Sequence, residues 1–161
     1  MQGAHESELH LRMFLPTDDD EVASWFPDAG AVRYFAGKRL TWPIDEAQWD
    51  GILMDPDITA WTAVIGDDPK PVGHGELVEE SPFVVRLERI VISPEQRGHG
   101  FGRELISLLT EKARDGGYTR VAVFTHPDNT TAIRGYRSLG FEPVCAEPGN
   151  TAMRMELPLT E

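Results

Sequence analysis

The sequence predicts a single α/β domain: a mixed, mostly antiparallel sheet with helices on both faces. Three observations carry this prediction. Strand-like and helix-like runs alternate along all 161 residues, a length that suits one domain with a substantial core. A strand, helix, strand passage from residue 83 to 125 makes a right-handed crossover, so the strands at about 83–92 and 119–125 should be parallel. The other neighbours are hairpin-like, and no repeat, linker or low-complexity tract divides the chain.

Each element has a local reason. Leu9, Leu11, Met13 and Leu15 stand at alternate positions and predict a first strand. Thr17 then caps a helix, with Asp20 three residues on in the manner of a capping box. Asp18, Asp19, Asp20 and Glu21 fill its first turn, where the helix dipole favours carboxylates. Helical stretches follow from Asp28 to Ala36 and from Asp45 to Met54. Ile58 to Ile65 is a strand, and Val72 to Glu79 is the returning arm of a hairpin across the turn at residues 66–71. Ser81-Pro82 leads into the strand from Phe83 to Ile92. Gly100 to Arg114 is helical, with Leu105, Ile106, Leu108, Leu109 and Ala113 on one side, and Gly116-Gly117 stops it. After the strand to Thr125, Asp128 or Asn129 caps a helix to Leu139. Phe141 to Ala146 and Ala152 to Leu157 are the last two strands.

Composition excludes several classes of function. The net charge is −12, from 15 basic and 27 acidic residues, so the surface repels phosphate backbones and nucleic acid is not an expected partner. The same charge attracts cations, although it also serves plain solubility. No apolar run approaches the ~20 residues that span a bilayer, so no membrane partner is expected. Met1-Gln2-Gly3-Ala4-His5-Glu6 lacks a basic then apolar leader pattern. Cys145 is the only cysteine, which rules out an intrachain disulfide and fits a cytoplasmic location. It reads as a small packing residue rather than a nucleophile.

The most informative segment is Val91-Ile92-Ser93-Pro94-Glu95-Gln96-Arg97-Gly98-His99-Gly100-Phe101-Gly102-Arg103-Glu104-Leu105. An apolar strand enters a glycine-rich turn, and the turn enters a helix. The first turn of a helix presents unpaired N–H groups and partial positive charge, and glycines let a phosphate approach the backbone. A Walker loop is excluded because Arg103 and Glu104 follow Gly102, where Lys and Ser or Thr are required. A dinucleotide fingerprint starting at Gly98 fails because its third glycine position is Arg103. The next strand also ends in Thr125 and His126 rather than an acid.

What remains is Arg-x-x-Gly-x-Gly, filled by Arg97, Gly100 and Gly102. It resembles the acetyl-CoA loop of the GCN5-related N-acetyltransferases, the GNAT superfamily. Leu87 to Pro94 looks like that family's central strand, and Asn129, Ala132, Tyr136, Gly140 and Phe141 match its N-x-x-A-x-x-x-Y-x-x-x-G-F segment. The resemblance covers roughly residues 83–145. It implies a fold in which the parallel strands splay apart and the pantetheine arm of the cofactor enters the gap. It also implies an N-acetyltransferase that moves acetyl from acetyl-CoA to a primary amine in a ternary complex, without a metal. The acetyl-CoA-binding core would then be about residues 83–145, and the acceptor-binding elements about 1–80.

The chemistry assigns roles. Main-chain N–H groups of Gly98, His99, Gly100, Phe101, Gly102 and Arg103 should hold the pyrophosphate, with Arg97 adding charge or shaping the loop. Ile90, Val91 and Ile92 should pair with the pantetheine amides, although their side chains read equally as strand core. By resemblance, the Ile90 N–H donates to the thioester oxygen, and Asn129, also a helix cap, contacts the cofactor arm. Tyr136 is the expected general acid, since similar enzymes place a tyrosine beside the sulfur. A phenol of pKa ~10 can protonate a thiolate whose acid has pKa ~8.5.

Glu88 is the candidate base, as some family members carry one there. It reads equally well as a strand carboxylate paired with Arg86 or Arg120. His126 is an alternative base, and an acceptor amine of low pKa hardly requires one. His74 and His99 read as exposed or structural side chains.

Tyr34, Phe35, Trp42 and Trp49 form a candidate aromatic wall for the acceptor, with core packing as the other reading. Tyr34 and Trp42 are the two placed in the site. The acceptor is a small-molecule or peptide amine. Similar proteins are often dimers, so a homodimer is admitted, though the sequence holds no interface signal. Two rival functions remain: a non-catalytic acyl-CoA-binding module and a protein N-terminal acetyltransferase.

Overall fold

The computed structural model describes residues 8–144 and 151–159. The chain opens with strand β1 (Leu9–Met13), a single 3-10 turn at Pro16–Asp18, and three short helices: α1 (Asp19–Ala23), α2 (Ala29–Ala36) and α3 (Glu46–Leu53). Strands β2 (Ile58–Ile65), β3 (Gly73–Glu79) and β4 (Val84–Ile92) follow as a meander. Helix α4 (Phe101–Asp115) crosses to β5 (Arg120–Thr125), and α5 (Thr130–Ser138), β6 (Glu142–Pro143) and β7 (Met153–Pro158) complete the fold. The seven strands lie in the order β1-β2-β3-β4-β5-β7-β6. Every neighbouring pair is antiparallel except β4 and β5, as the crossover predicts. The expected strand at Phe141–Ala146 is seen as Glu142–Pro143; Cys145 and Ala146 lie outside the described residues.

Two apolar clusters cover the two faces of the sheet. On one face Leu105, Leu109 and Ala113 of α4 pack on Leu9, Ala63, Leu77, Val85, Leu87, Ile92, Val121, Val123 and Met155. The 15-residue helix puts these residues at the spacing of one buried stripe. Gly75 of β3 sits under it, so close that an added Cβ would meet Leu109 Cδ1 at 2.6 Å. On the other face Val22, Trp25, Val32, Trp49 and Ile52 of α1 to α3 pack with Phe14, Ala60 and Val91. Asp28 and Asp45 cap α2 and α3 by accepting from the N–H groups of Ala31 and Gln48.

The start of α1 departs from expectation. Thr17 is not its cap, and no capping box forms with Asp20: Thr17 lies within the 3-10 turn, and α1 begins at Asp19. Asp18 is not a solvated first-turn carboxylate but is 3% exposed. It accepts two hydrogen bonds from Arg12, at 2.8 and 2.9 Å, one from the Leu15 N–H at 2.8 Å and one from the Thr62 hydroxyl at 2.9 Å. Burial alone would raise its carboxyl pKa, but Arg12, Leu15 and Thr62 together hold it below the ordinary value. Asp19, Asp20 and Glu21 do occupy the first turn.

Candidate active site

The site begins where β4 and β5 part. They pair in parallel only through Val84–Arg120, Val85–Val121 and Arg86–Ala122. Beyond Arg86, β4 has no registered partner on its β5 side, so the sheet opens into a gap between them. On its other side β4 is interrupted as well. His74 faces Val91 and Glu76 faces Glu88, which leaves Arg89 and Ile90 opposite Gly75 alone. This is a one-residue bulge, and Arg89 holds it with φ at +48°, the only non-glycine residue at positive φ among those described.

Downstream of Ile92 the chain turns through the glycine-rich segment into α4. Arg97 Nε donates to the Ile92 carbonyl at 3.1 Å, which ties the loop back to the strand. Gly98 and Gly100 lie at φ +85° and +80°, where a side chain is strained. A Cβ added at Gly98, Gly100 or Gly102 would meet nothing within 4 Å, so all three open to free space. Gly100 is the N-cap of α4 and supplies no side-chain bond to the first-turn N–H groups. These amides and the helix dipole suit a pyrophosphate, and the glycines leave room for it. His99 instead turns back, with Nδ1 3.1 Å from the Gln96 carbonyl oxygen, and its ring lies 5.9 Å from Phe101.

From the glycine-rich turn a groove of about 170 Å³ runs between α4 and α5, lined by Arg103, Ile106, Ala132, Gly135 and Tyr136. Asn129 caps α5 by accepting from the Ala132 N–H at 3.1 Å. Tyr136 packs edge-on against the buried Phe141 at 5.5 Å and belongs with the α4-side cluster. Burial pushes its phenol above the ordinary value of 10, and the charges of Tyr34 and Glu88 push it the same way. Tyr34 comes from α2, and Glu88 shares a face with its registered partner Glu76. That is the face covered by α1 to α3. Tyr136 thus lies with the α4-side cluster, while Tyr34 and Glu88 stand on the α1 to α3 side.

The remaining sequence expectations divide. Glu88 pairs with Arg86 in a very short contact, while Arg120 turns to Glu156 at 3.2 Å. The ladder continues through Arg86–Glu80 at 2.9 Å, Arg154–Glu80 at 2.7 Å and Arg154–Glu156 at 2.7 Å, across β4, β5 and β7. His126 is 68% exposed and is tied into a local turn with Asp128, whose N–H reaches its Nδ1 at 3.1 Å. Of the aromatic wall, Tyr34 is 85% exposed and Trp42 48% exposed, with the Trp42 indole N–H donating to the Phe26 carbonyl. Trp49 is 1% exposed and is core, and Phe35 stacks on Phe26 at 4.4 Å.

One constellation escaped the sequence reading. His74 and Glu76 are both fully buried, so His74 is structural rather than exposed. His74 Nε2 lies 2.7 Å from Glu76 Oε2, and Arg89 Nε donates to Glu76 Oε1. Phe14, Phe35 and Trp49 surround the imidazole, and its Nδ1 has no partner. The available signal was polar His and Glu alternating with glycines in Gly73-His74-Gly75-Glu76, inside a strand flanked by apolar residues. A second cavity, of about 230 Å³ near Asp68, Lys70 and Glu95, shares no lining residue with the groove. Among the described residues, no three His, Cys, Asp or Glu side chains converge to hold a metal, and no helix is long and apolar enough to cross a membrane.

Comparison with known proteins matches this geometry to one family. The model of the acetyltransferase (GNAT) family matches residues 20–141. A mycothiol acetyltransferase of Nocardia farcinica is 30% identical over 145 residues, covering 80% of this chain and 43% of the relative. An L-2,4-diaminobutyric acid acetyltransferase of the same organism is 34% identical over 84 residues, covering 51% of this chain and 44% of the relative. The chain thus spans less than half the length of these curated relatives. Among solved structures, spermidine N-acetyltransferase from Vibrio cholerae in complex with CoA and spermine superposes with a TM-score of 0.75 at 19% identity, covering 96% of this chain and 97% of that one.

Proposed function

The chain belongs to the GNAT acetyltransferase family, and from that premise we propose that it transfers acetyl from acetyl-CoA directly to the primary amine of a small molecule. The observation that carries the proposal is the parting of β4 and β5 beyond Arg86, beside an open glycine-rich turn and a groove lined by Tyr136. Residues 83–145 serve as the donor half, and residues 1–80 supply the acceptor half.

Gly98 to Arg103 hold the pyrophosphate with main-chain amides, and Arg97 shapes their loop. Ile90, Val91 and Ile92, unpaired toward β5, hold the pantetheine amides as a missing strand would. The Ile90 N–H donates to the thioester oxygen as negative charge develops there; losing such a donor typically costs ~3 kcal/mol of barrier. Asn129 caps α5 and so fixes Tyr136 in the groove.

The amine nitrogen attacks the thioester carbonyl carbon, a C–N bond forms, and the C–S bond breaks. Tyr136 passes its proton to the departing thiolate. Its raised phenol pKa keeps that proton in place through the neutral range. Glu88, directly or through water, takes the proton that the amine releases. A lysine-like amine of pKa ~10.4 costs ~4.6 kcal/mol to deprotonate at pH 7, so Glu88 matters most for such acceptors.

Tyr34 and Trp42 remain exposed and line the acceptor side. The net charge of −12 favours a cationic acceptor. The relatives named above act on mycothiol, L-2,4-diaminobutyric acid and spermidine according to their names, and all three suit a small-amine reading.

The test is release of free thiol from acetyl-CoA, corrected for hydrolysis, across a panel of polyamines, diamino acids, aminoglycosides and peptides. Amine-dependent release is expected with one of the small amines. Saturable CoA binding without release on any amine would replace this reading with a non-catalytic acyl-CoA-binding module. Release on peptides alone would move the acceptor to a protein N-terminus.

A further inference from the structure

Arg89 adopts a backbone conformation that a residue with a side chain rarely takes, so its surroundings must hold it there. The holder is visible. Glu76 is fully buried, and its two oxygens are each engaged, one by Arg89 Nε and one by His74 Nε2. The Arg89 side chain is itself only 8% exposed. A carboxylate is acceptor-only, so His74 donates to Glu76 from Nε2. Phe14, Phe35 and Trp49 fix the imidazole in turn. Nothing in this chain of contacts touches the cradle at Gly98–Arg103. It ends at the bulge, one residue before Ile90.

We propose that His74 and Glu76 are positioning residues for acetyl transfer: through Arg89 they hold the β4 bulge that turns the Ile90 main chain toward the gap. This rests on the function proposed above and deepens it. The pair has no role in proton transfer and none in cofactor affinity. Its work is geometric, because a donor N–H displaced by a fraction of an ångström no longer meets the developing charge.

Two double variants isolate the backbone effect. Glu76→Gln with Arg89→Gly and Glu76→Gln with Arg89→Ala remove the same two charges. They differ only in whether position 89 accepts φ +48° without strain. The glycine version should keep a kcat about five-fold or more above the alanine version, while the CoA dissociation constants, measured by calorimetry, agree within about two-fold. Equal kcat values would overturn the proposal, as would a loss of CoA affinity that tracks kcat.

Glu76→Asp provides a second arm in a better-tolerated background, since it keeps the charge and shortens the reach by one methylene. It should lower kcat about ten-fold with CoA affinity unchanged; a wild-type kcat would overturn the proposal. A readout independent of turnover is the amide resonance of Ile90. Addition of acetyl-CoA should shift it in the wild type and in the glycine double variant, and much less in the alanine one; the same shift in all three overturns the proposal. If the wild type acetylates no amine, the functional reading fails, and this amide contrast still tests the bulge. If the wild type is active and the contrast is absent, only the present inference fails.

Discussion

Tyr136 joins a sequence motif to a measurable chemistry. It lines a groove between α4 and α5, and its phenol is pushed above 10 by burial first and by Tyr34 and Glu88 second. Tyr136→Phe should lower kcat ten-fold or more while the CoA dissociation constant changes little; an unchanged kcat would remove Tyr136 from the mechanism. The sign of the pH effect follows from the raised phenol. The neutral form is favoured in the folded protein, so nothing is lost below about pH 10, where the unfolded chain begins to ionise. Above that, both stability and rate should fall. An alkaline limb in the wild-type kcat profile that lies above pH 10 and vanishes in Tyr136→Phe would match this picture, and a limb below pH 9 would contradict it.

Single elements show where local pattern suffices and where it does not. The glycine-rich turn was legible because its glycines are demanded locally: Gly98 and Gly100 sit at positive φ and open to free space. Gly100→Asp should therefore abolish CoA binding in calorimetry, by strain and by placing a carboxylate against a diphosphate. The strands from Ile58 to Ile65 and from Arg120 to Thr125 were equally legible, since their burial follows from their own apolar runs. The start of α1 was not, because four acids stand in a row and only the folded partners Arg12, Leu15 and Thr62, the last 44 residues away, single out Asp18 for burial. Arg89 escaped for the same reason, as Glu76, thirteen residues away, sets its conformation.

The Asp18 junction of β1, the 3-10 turn and β2 makes its own prediction. Its carboxyl is held below its ordinary value, so its contribution is present above about pH 4 and is lost as pH falls through the native value. Asp18→Asn should cost about 2 kcal/mol in urea unfolding at pH 7, with Arg12 29% exposed at its side chain and so still partly solvated. The difference between the two proteins should shrink at pH 3; a constant difference would mean that the charge is not what stabilises the junction.

At the level of the whole molecule, the charge of −12 acts on encounter rather than on fold. For a polyamine acceptor, KM should rise several-fold between about 20 and 300 mM salt, as the Debye length shrinks to within a few ångströms of contact distance, with kcat nearly constant. A KM indifferent to salt would mean that the acidic surface serves solubility alone. The sheet also has a broader consequence. Under the proposed function, donor and acceptor would be served from opposite sides of one wall, with the opening between β4 and β5 as a window through it. On that reading, exchange of Tyr34, Trp42 or their neighbours would retune which amine is accepted and leave the nucleotide grip untouched. With separate doors for its two reactants, such an architecture would let one doorway be recut for new guests while the other stays as it is.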